Sequence, residues 1–425
     1  MALLIFAGSL LAAMFIGLPI AFSLIICAIS LMYFLDITDI QIITQNMWNG
    51  ANNFPLLAVP FFMMAGEFMN AGGMTKRIIN IAMIWVGHVR GGMGYVAVFA
   101  AIIMASLSGS AAADTAALAA ILLPMMREAG YRLNRTGGLI GAGGIIAPVI
   151  PPSVAMILYG VTGQISITKL FLAGIFPGAL MGLVLLMTWW LLAKKENVST
   201  TPRVPFRERG KKTLEGFWAL LLPVVIVGGL RIGIFTPTEA AVVAAGYSLF
   251  VGVFIYKGIR LGDLYGLMLN AAKTTAVIMF LVAAASVSAW LIAAADIPAQ
   301  LSELLAPVMH NQTLLILTLM LLIFVIGTAM DLTPTILVMT PVLVPIIKTA
   351  GIDPVYFGVL FVMNTSIGLI TPPVGTVLNV ICGIGKISMD QLVKGIWPFL
   401  LACIFVLLLL ALFPQLVLFP LSLMT

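Results

Sequence analysis

Hydrophobic residues run through this chain in long stretches, not in the alternation of a half-buried strand. Residues 3–34, 181–193 and 402–412 are uncharged and almost wholly apolar. Only helices or closed barrels satisfy the backbone in hydrocarbon, and a barrel strand would show period-two alternation. The pattern therefore predicts an all-α polytopic membrane protein. Residues 3–34 have no basic segment before them and no small-x-small cleavage signal. They predict a retained first spanning helix, not a secretory leader.

Polar punctuation divides the chain. Residues 194–212 carry Lys194, Lys195, Arg203, Arg207, Arg209, Lys211 and Lys212 against Glu196 and Glu208. By the positive-inside rule this is a cytoplasmic linker, and it separates residues 1–193 from 213–425. A single offset of 221 carries Pro124 onto Pro345, Gly130 onto Gly351, Pro151-Pro152 onto Pro372-Pro373, and Pro177 onto Pro398. Prolines and glycines occupy special backbone positions, so one offset for all of them predicts a duplicated architecture.

Loop charge orients the two halves. In the first, His88 and Arg90 precede residues 91–126 and Arg127, Arg132 and Arg135 follow them. Both ends then lie in the cytoplasm, which describes a re-entrant helical hairpin. Its counterpart, residues 313–347, has only His310 before it and Lys348 with Asp353 after it, and predicts access from the opposite side. A helix interrupted by a double proline follows each hairpin, over residues 137–163 and 355–385. Opposed hairpins with broken helices predict inverted repeats, the arrangement on which secondary transporters build an alternating-access site.

Composition narrows the function. The chain is 62% hydrophobic and 8% charged, against ~25% charged in soluble domains. Its formal net charge of +6 is concentrated in the linker, where topology accounts for it, so no nucleic-acid partner is expected. Cys27, Cys382 and Cys403 lack CxxC spacing, and His88 and His310 lack metal-ligand spacing. Neither a GxSxG elbow nor a P-loop is present. The sequence predicts no enzyme, no cofactor and no transition-metal site.

Polar residues at membrane depth are the candidates for chemistry. In the first hairpin, Ser106, Ser108, Ser110, Asp114 and Thr115 supply oxygens around Gly109, which allows an unwound tip. The alternative is small-residue helix packing with internal hydroxyl bonding. In the second, Thr328, Asp331, Thr333 and Thr335 gather about Pro334, a helix breaker. Under the offset Asp114 falls on Thr335 and Ser110 on Asp331, so the two tips are analogous and not identical. Pro151 and Pro152, with Ser153 beside them, interrupt the first broken helix, and Pro372 and Pro373 the second. Asn364, Thr365, Thr371, Thr376 and Asn379 accompany the latter. Freed carbonyls suit Na⁺ and half-helix N-termini suit carboxylates, whereas a plain hinge needs no ligand. Glu67 calls for either a buried ion pair, with Lys273 as a possible partner, or a coupling role. Glu239, after Thr236-Pro237-Thr238, fits a helix cap.

Five segments together carry a family resemblance: SLSGSAAADTAA (106–117), GGIIAPVIPPS (143–153), FTPTEAA (235–241), MDLTPTILVMTPVLVP (330–345) and IGLITPPVG (367–375). In this order they resemble the large, DctM-like membrane subunit of tripartite ATP-independent periplasmic (TRAP) transporters, over essentially the whole chain. The chain also resembles the sugar-acid members, including those of the 2,3-diketo-L-gulonate type. The resemblance implies a bacterial inner-membrane importer of a sugar acid or C4-dicarboxylate, with Na⁺ as coupling ion. It implies an elevator, in which a mobile domain holding both hairpins and both broken helices crosses against a scaffold within the lipid bilayer. It also implies two partners, a small four-helix membrane subunit expected as a separate polypeptide and a periplasmic substrate-binding protein. A standalone Na⁺- or H⁺-coupled anion symporter of the same architecture is the alternative.

Overall fold

The computed structural model describes residues 1–194 and 204–424, and these hold helices and no strand. Lys195, Glu196 and Arg203 of the basic linker lie outside the described residues. The first half contains α1 (Ala2–Phe15), α2 (Ile20–Phe34), α3 (Gln41–Ala51), a 3-10 turn leading into α4 (Ala58–Ala71), and α5 (Met74–Val86). It continues with α6 (Gly92–Ser108), α7 (Ala111–Glu128), α8 (Leu133–Gly144), α9 (Val154–Gly163) and α10 (Ile167–Ala193). The second half contains α11 (Phe206–Glu215), α12 (Phe217–Ile232), α13 (Pro237–Phe250), α14 (Leu264–Ala294), α15 (Ile297–Leu304) and α16 (Ala306–Met309). After these come α17 (Gln312–Ala329), α18 (Leu332–Thr349), α19 (Pro354–Gly368), α20 (Thr376–Gly385), α21 (Met389–Leu412) and α22 (Gln415–Ser422).

The expected single helix over residues 3–34 is instead two. Gly17 adopts φ +86°, a conformation that stops α1, and Pro19 then caps α2. The two helices pack against each other, and the Cys27 thiol reaches the Phe6 carbonyl at 3.3 Å. At ~1.5 Å per residue neither helix alone covers a ~30 Å hydrocarbon core.

Among the described residues, seven helices are long and apolar enough to cross a membrane, and the bent pair α11–α12 adds an eighth. The arms of the broken helices are shorter, with α9 and α20 at 10 residues each. Adding 221 to both ends of α7 gives both ends of α18, and adding it to the start of α8 gives the start of α19. Contacts are reciprocal as well: α7 packs on α20 as α18 packs on α9, and α8 packs on α21 as α19 packs on α10. Two bonds tie the halves, from Arg127 Nη2 to the Gly385 carbonyl (2.7 Å) and from the Tyr159 hydroxyl to the Pro354 carbonyl (2.9 Å).

An outer group is formed by α2, α3, α4, α13 and α14, with α4 packed on α13 and α14 on both α2 and α3. It meets an inner group, α6–α10 with α17–α21, where α4 touches α6 and α9 and where α14 touches α18. Glu67, on α4, and Lys273, on α14, do not form an ion pair. Glu239 closes a capping box with Thr236, accepting from the Thr236 backbone N–H at 2.8 Å while Thr236 Oγ accepts from the Glu239 N–H at 3.3 Å.

Candidate functional site

The first tip is a turn between α6 and α7 built on Gly109, whose φ of +63° ends α6. A Cβ there would lie 2.4 Å from the Pro152 carbonyl oxygen, so both the conformation and the space require glycine. Ser110 then caps α7, accepting from the Ala113 N–H at 3.4 Å. Behind it the Ser108 hydroxyl donates to Asp114 Oδ1 and accepts from the Ser110 N–H at 3.2 Å. Asp114 and Thr115 are buried, and Asp114 Oδ2 and Thr115 Oγ have no partner. Thr115 rests where Gly144 leaves room on α8, since a Cβ on Gly144 would meet its Oγ at 1.8 Å.

The second tip is built differently. Met330 stands at the place of Gly109 with φ −119°, and Asp331 precedes α18 without capping it. Instead the exposed Asp331 carboxylate accepts from Thr376 Oγ on α20 at 3.3 Å. Thr335 is buried and donates to the Asp331 carbonyl at 2.8 Å.

The two broken helices pass through Pro151-Pro152 and Pro372-Pro373, both cis. Ser153 caps α9 by accepting from the Met156 N–H at 3.2 Å, and its hydroxyl donates to the Pro148 carbonyl. Gly375, at φ +46°, precedes α20 without a side-chain cap.

These four segments converge on one cavity of about 160 Å³, lined by Gly109, Ser110, Ala111, Ala112, Pro148, Val154, Ala155, Asp331, Leu332, Thr333, Leu369 and Thr376. The lining includes the opening residues of α7, α9, α18 and α20. At a helix start the first N–H groups lack an intrahelical acceptor and the positive end of the dipole is exposed. The N–H groups of Ala111, Ala112, Val154, Ala155, Leu332, Thr333 and Thr376 donate to no protein atom. Four helix starts with unused donors face one small space, an arrangement whose chemistry suits a compact anion. The volume is below the ~300–1,000 Å³ of drug-sized pockets. A larger cleft of about 500 Å³ runs between the end of α9 and the start of α13, where the Glu239 capping box already engages that helix start.

Of the residues singled out from sequence, Gly109, Ser110, Asp331, Thr333 and Thr376 line the cavity. Ser108, Asp114, Thr115, Pro152, Ser153 and Thr335 stand behind it, and Pro151, Pro372 and Pro373 shape the breaks. Ser106, Thr328, Thr365 and Thr371 donate to carbonyls three or four residues back in their own helices. Asn364 donates to the Met320 carbonyl at 2.6 Å and leaves its buried Oδ1 unpartnered, while Asn379 donates to the Val374 carbonyl at 3.0 Å. Met63 on α4 and Thr274 and Ile278 on α14 also line the cavity. The polar pattern did not single these out, since they belong to the outer group and nothing local marks them.

A family model described as "Tripartite ATP-independent periplasmic transporter, DctM component" matches residues 7–416. The chain belongs to this family. It is a TRAP large permease subunit, a multi-pass protein of the bacterial inner membrane. Among the large permeases it is similar to the 2,3-diketo-L-gulonate TRAP transporter large permease protein YiaN of Escherichia coli (strain K12), with 53% identity over 99% of each chain. A putative TRAP transporter large permease protein of Haemophilus influenzae is 55% identical, again over 99% of each chain. These relatives are transport proteins and not enzymes. The crystal structure of the Alcanivorax borkumensis YdaH transporter is similar in fold to this TRAP subunit. It has a TM-score of 0.62 at 13% identity and covers 87% of this chain and 86% of that one.

Proposed function

We propose that this TRAP subunit carries a small organic acid, of the sugar-acid class, inward together with Na⁺, receiving it from a periplasmic binding protein and working with a small four-helix membrane subunit. The observation that carries this reading is the convergence of four helix starts on one cavity. The substrate carboxylate accepts from their free N–H groups, and Thr376, Thr333 and Ser110 bind its hydroxyls or carbonyls. The relative that acts on 2,3-diketo-L-gulonate supports the sugar-acid class.

Charge explains the coupling. An anion moved alone through a low-dielectric barrier carries a large desolvation cost, and a cation bound close by cancels most of it. The buried neutral oxygens without partners, Thr115 Oγ and Asn364 Oδ1, are the side-chain candidates to hold Na⁺ beside the tips. Carbonyls released where α6, α8, α17 and α19 end complete such a shell. With either guest missing the remaining one is unbalanced, so the loaded and the empty states cross and the half-loaded ones do not. Inverted repeats let the inner group, α6–α10 with α17–α21, move as an elevator against α2–α4 and α12–α14.

Proteoliposomes holding this subunit and its small partner test the reading under an imposed Na⁺ gradient. Uptake of a sugar acid is expected only with both the loaded binding protein and Na⁺. Uptake from free substrate without the binding protein would make the chain a standalone symporter, and uptake indifferent to Na⁺ would remove the coupling.

A further inference from the structure

The basic helix α11 plays no part in the cavity, yet it has features that packing alone leaves unexplained. It meets α12 at a bend of 59°, so it does not continue that spanning helix. Phe206 and Leu214, two turns apart on one face, are 79% and 73% exposed. Arg207 and Lys211 flank that face at helical spacing, and Trp85, Phe217 and Trp218 form an exposed aromatic rim around it. Such a helix lies in the plane of the interface, with its apolar face in the acyl region and its charges at headgroup level.

Arg209 adds the second observation. It is only 6% exposed, its Nε donates to the Val204 carbonyl at 2.9 Å, and its guanidinium stands 5.9 Å from the Trp85 ring. Its Nη2 is buried without a partner. The elements packed on α11 are α5 and α12. Neither contains a carboxylate, and α5 contributes two further cations, Lys76 and Arg77. On α11 itself Glu215 pairs with Lys212 at 3.6 Å, and Glu208 makes no ion pair with Arg209. Among the described residues none supplies a counter-charge, and a buried guanidinium without one is costly.

We infer that α11, with Arg209 at its centre, binds the phosphate of an anionic phospholipid in the leaflet on the side of the basic linker. Arg209 Nη2 donates to the phosphate, Arg207 and Lys211 hold it electrostatically, and Phe206 and Leu214 pack on its acyl chains. A soluble anion satisfies the guanidinium equally well but leaves the exposed apolar face without a role.

Purified full-length protein in detergent is titrated with phosphatidylglycerol, phosphatidylcholine or inorganic phosphate. Retained lipid is counted by native mass spectrometry, and unfolding is followed by tryptophan fluorescence. Phosphatidylglycerol alone is expected to stay bound and raise the unfolding midpoint, more so at low salt. In R207Q/K211Q its affinity falls about fivefold for each charge removed. Arg209→Gln abolishes retention; should that variant fail to fold, R207Q/K211Q decides. Equal retention of phosphatidylcholine, an equal effect of inorganic phosphate, or full affinity in R207Q/K211Q would each overturn the lipid site.

Discussion

The two hairpin tips occupy corresponding places in the two halves and solve the same turn in opposite ways. Tip one turns on a left-handed glycine pressed against the Pro152 carbonyl, and behind it the buried Ser108 and Asp114 bond to each other. Tip two turns through the extended Met330, and its acid is exposed and reaches across to α20. The Ser108–Asp114 bond lies within its own hairpin, while the Asp331 carboxylate depends on a neighbouring helix. Both tips thus bring a helix start to the cavity, and each is supported in its own way.

This contrast can be broken most severely at its glycine. Gly109→Ala puts a side chain in a conformation costing ~1–2 kcal/mol and adds overlap with Pro152, so uptake is expected to fall by more than ~tenfold. Met330→Ala at the matched place is expected to stay within ~threefold when both are compared at equal membrane expression. Ser108→Ala removes the hydroxyl donor of buried Asp114, which predicts a loss of ~1–3 kcal/mol in detergent unfolding. Thr335→Ala breaks only a bond within its own helix and is expected to cost ~1 kcal/mol or less by the same measurement. Thr376→Val deletes the link to Asp331 at ~0.5–1.5 kcal/mol and should raise the KM for uptake by about three- to tenfold without changing expression. Ser153→Ala, which strips a cap from α9, is expected to lower stability by ~1 kcal/mol and to change KM least. Matched effects at Gly109 and Met330, or at Ser108 and Thr335, would erase the distinction between the tips.

The offset of 221 was legible because proline and glycine mark backbone positions directly, and the same offset separates the ends of α7 from those of α18. Helix reach was read less well at the N-terminus. There the apolar run hides a turn at Gly17 and Pro19, and hydropathy averages across a break that backbone geometry enforces. Within the site, a search for polar side chains finds Asp331, Thr333 and Thr376. It passes over Ala111, Ala112, Val154, Ala155 and Leu332, whose contribution is a backbone N–H that any residue type carries. It also raises Ser106, Thr328, Thr365 and Thr371, whose hydroxyls turn back to their own helices, a bond open to any serine or threonine in a helix. Met63, Thr274 and Ile278 enter through tertiary packing that no local pattern encodes.

The reciprocal packing of α7 on α20 and of α18 on α9 has a consequence for how the chain is made. The first hairpin leaves the ribosome some 250 residues before the helix it rests on, since α7 ends at Glu128 and α20 begins at Thr376. Until then its serines and its buried aspartate have no finished surroundings, and contacts at such long separation form late. Half a chain is therefore no smaller transporter: it is an unfinished one, whose first hairpin waits at the membrane for a helix made in about the last eighth of synthesis.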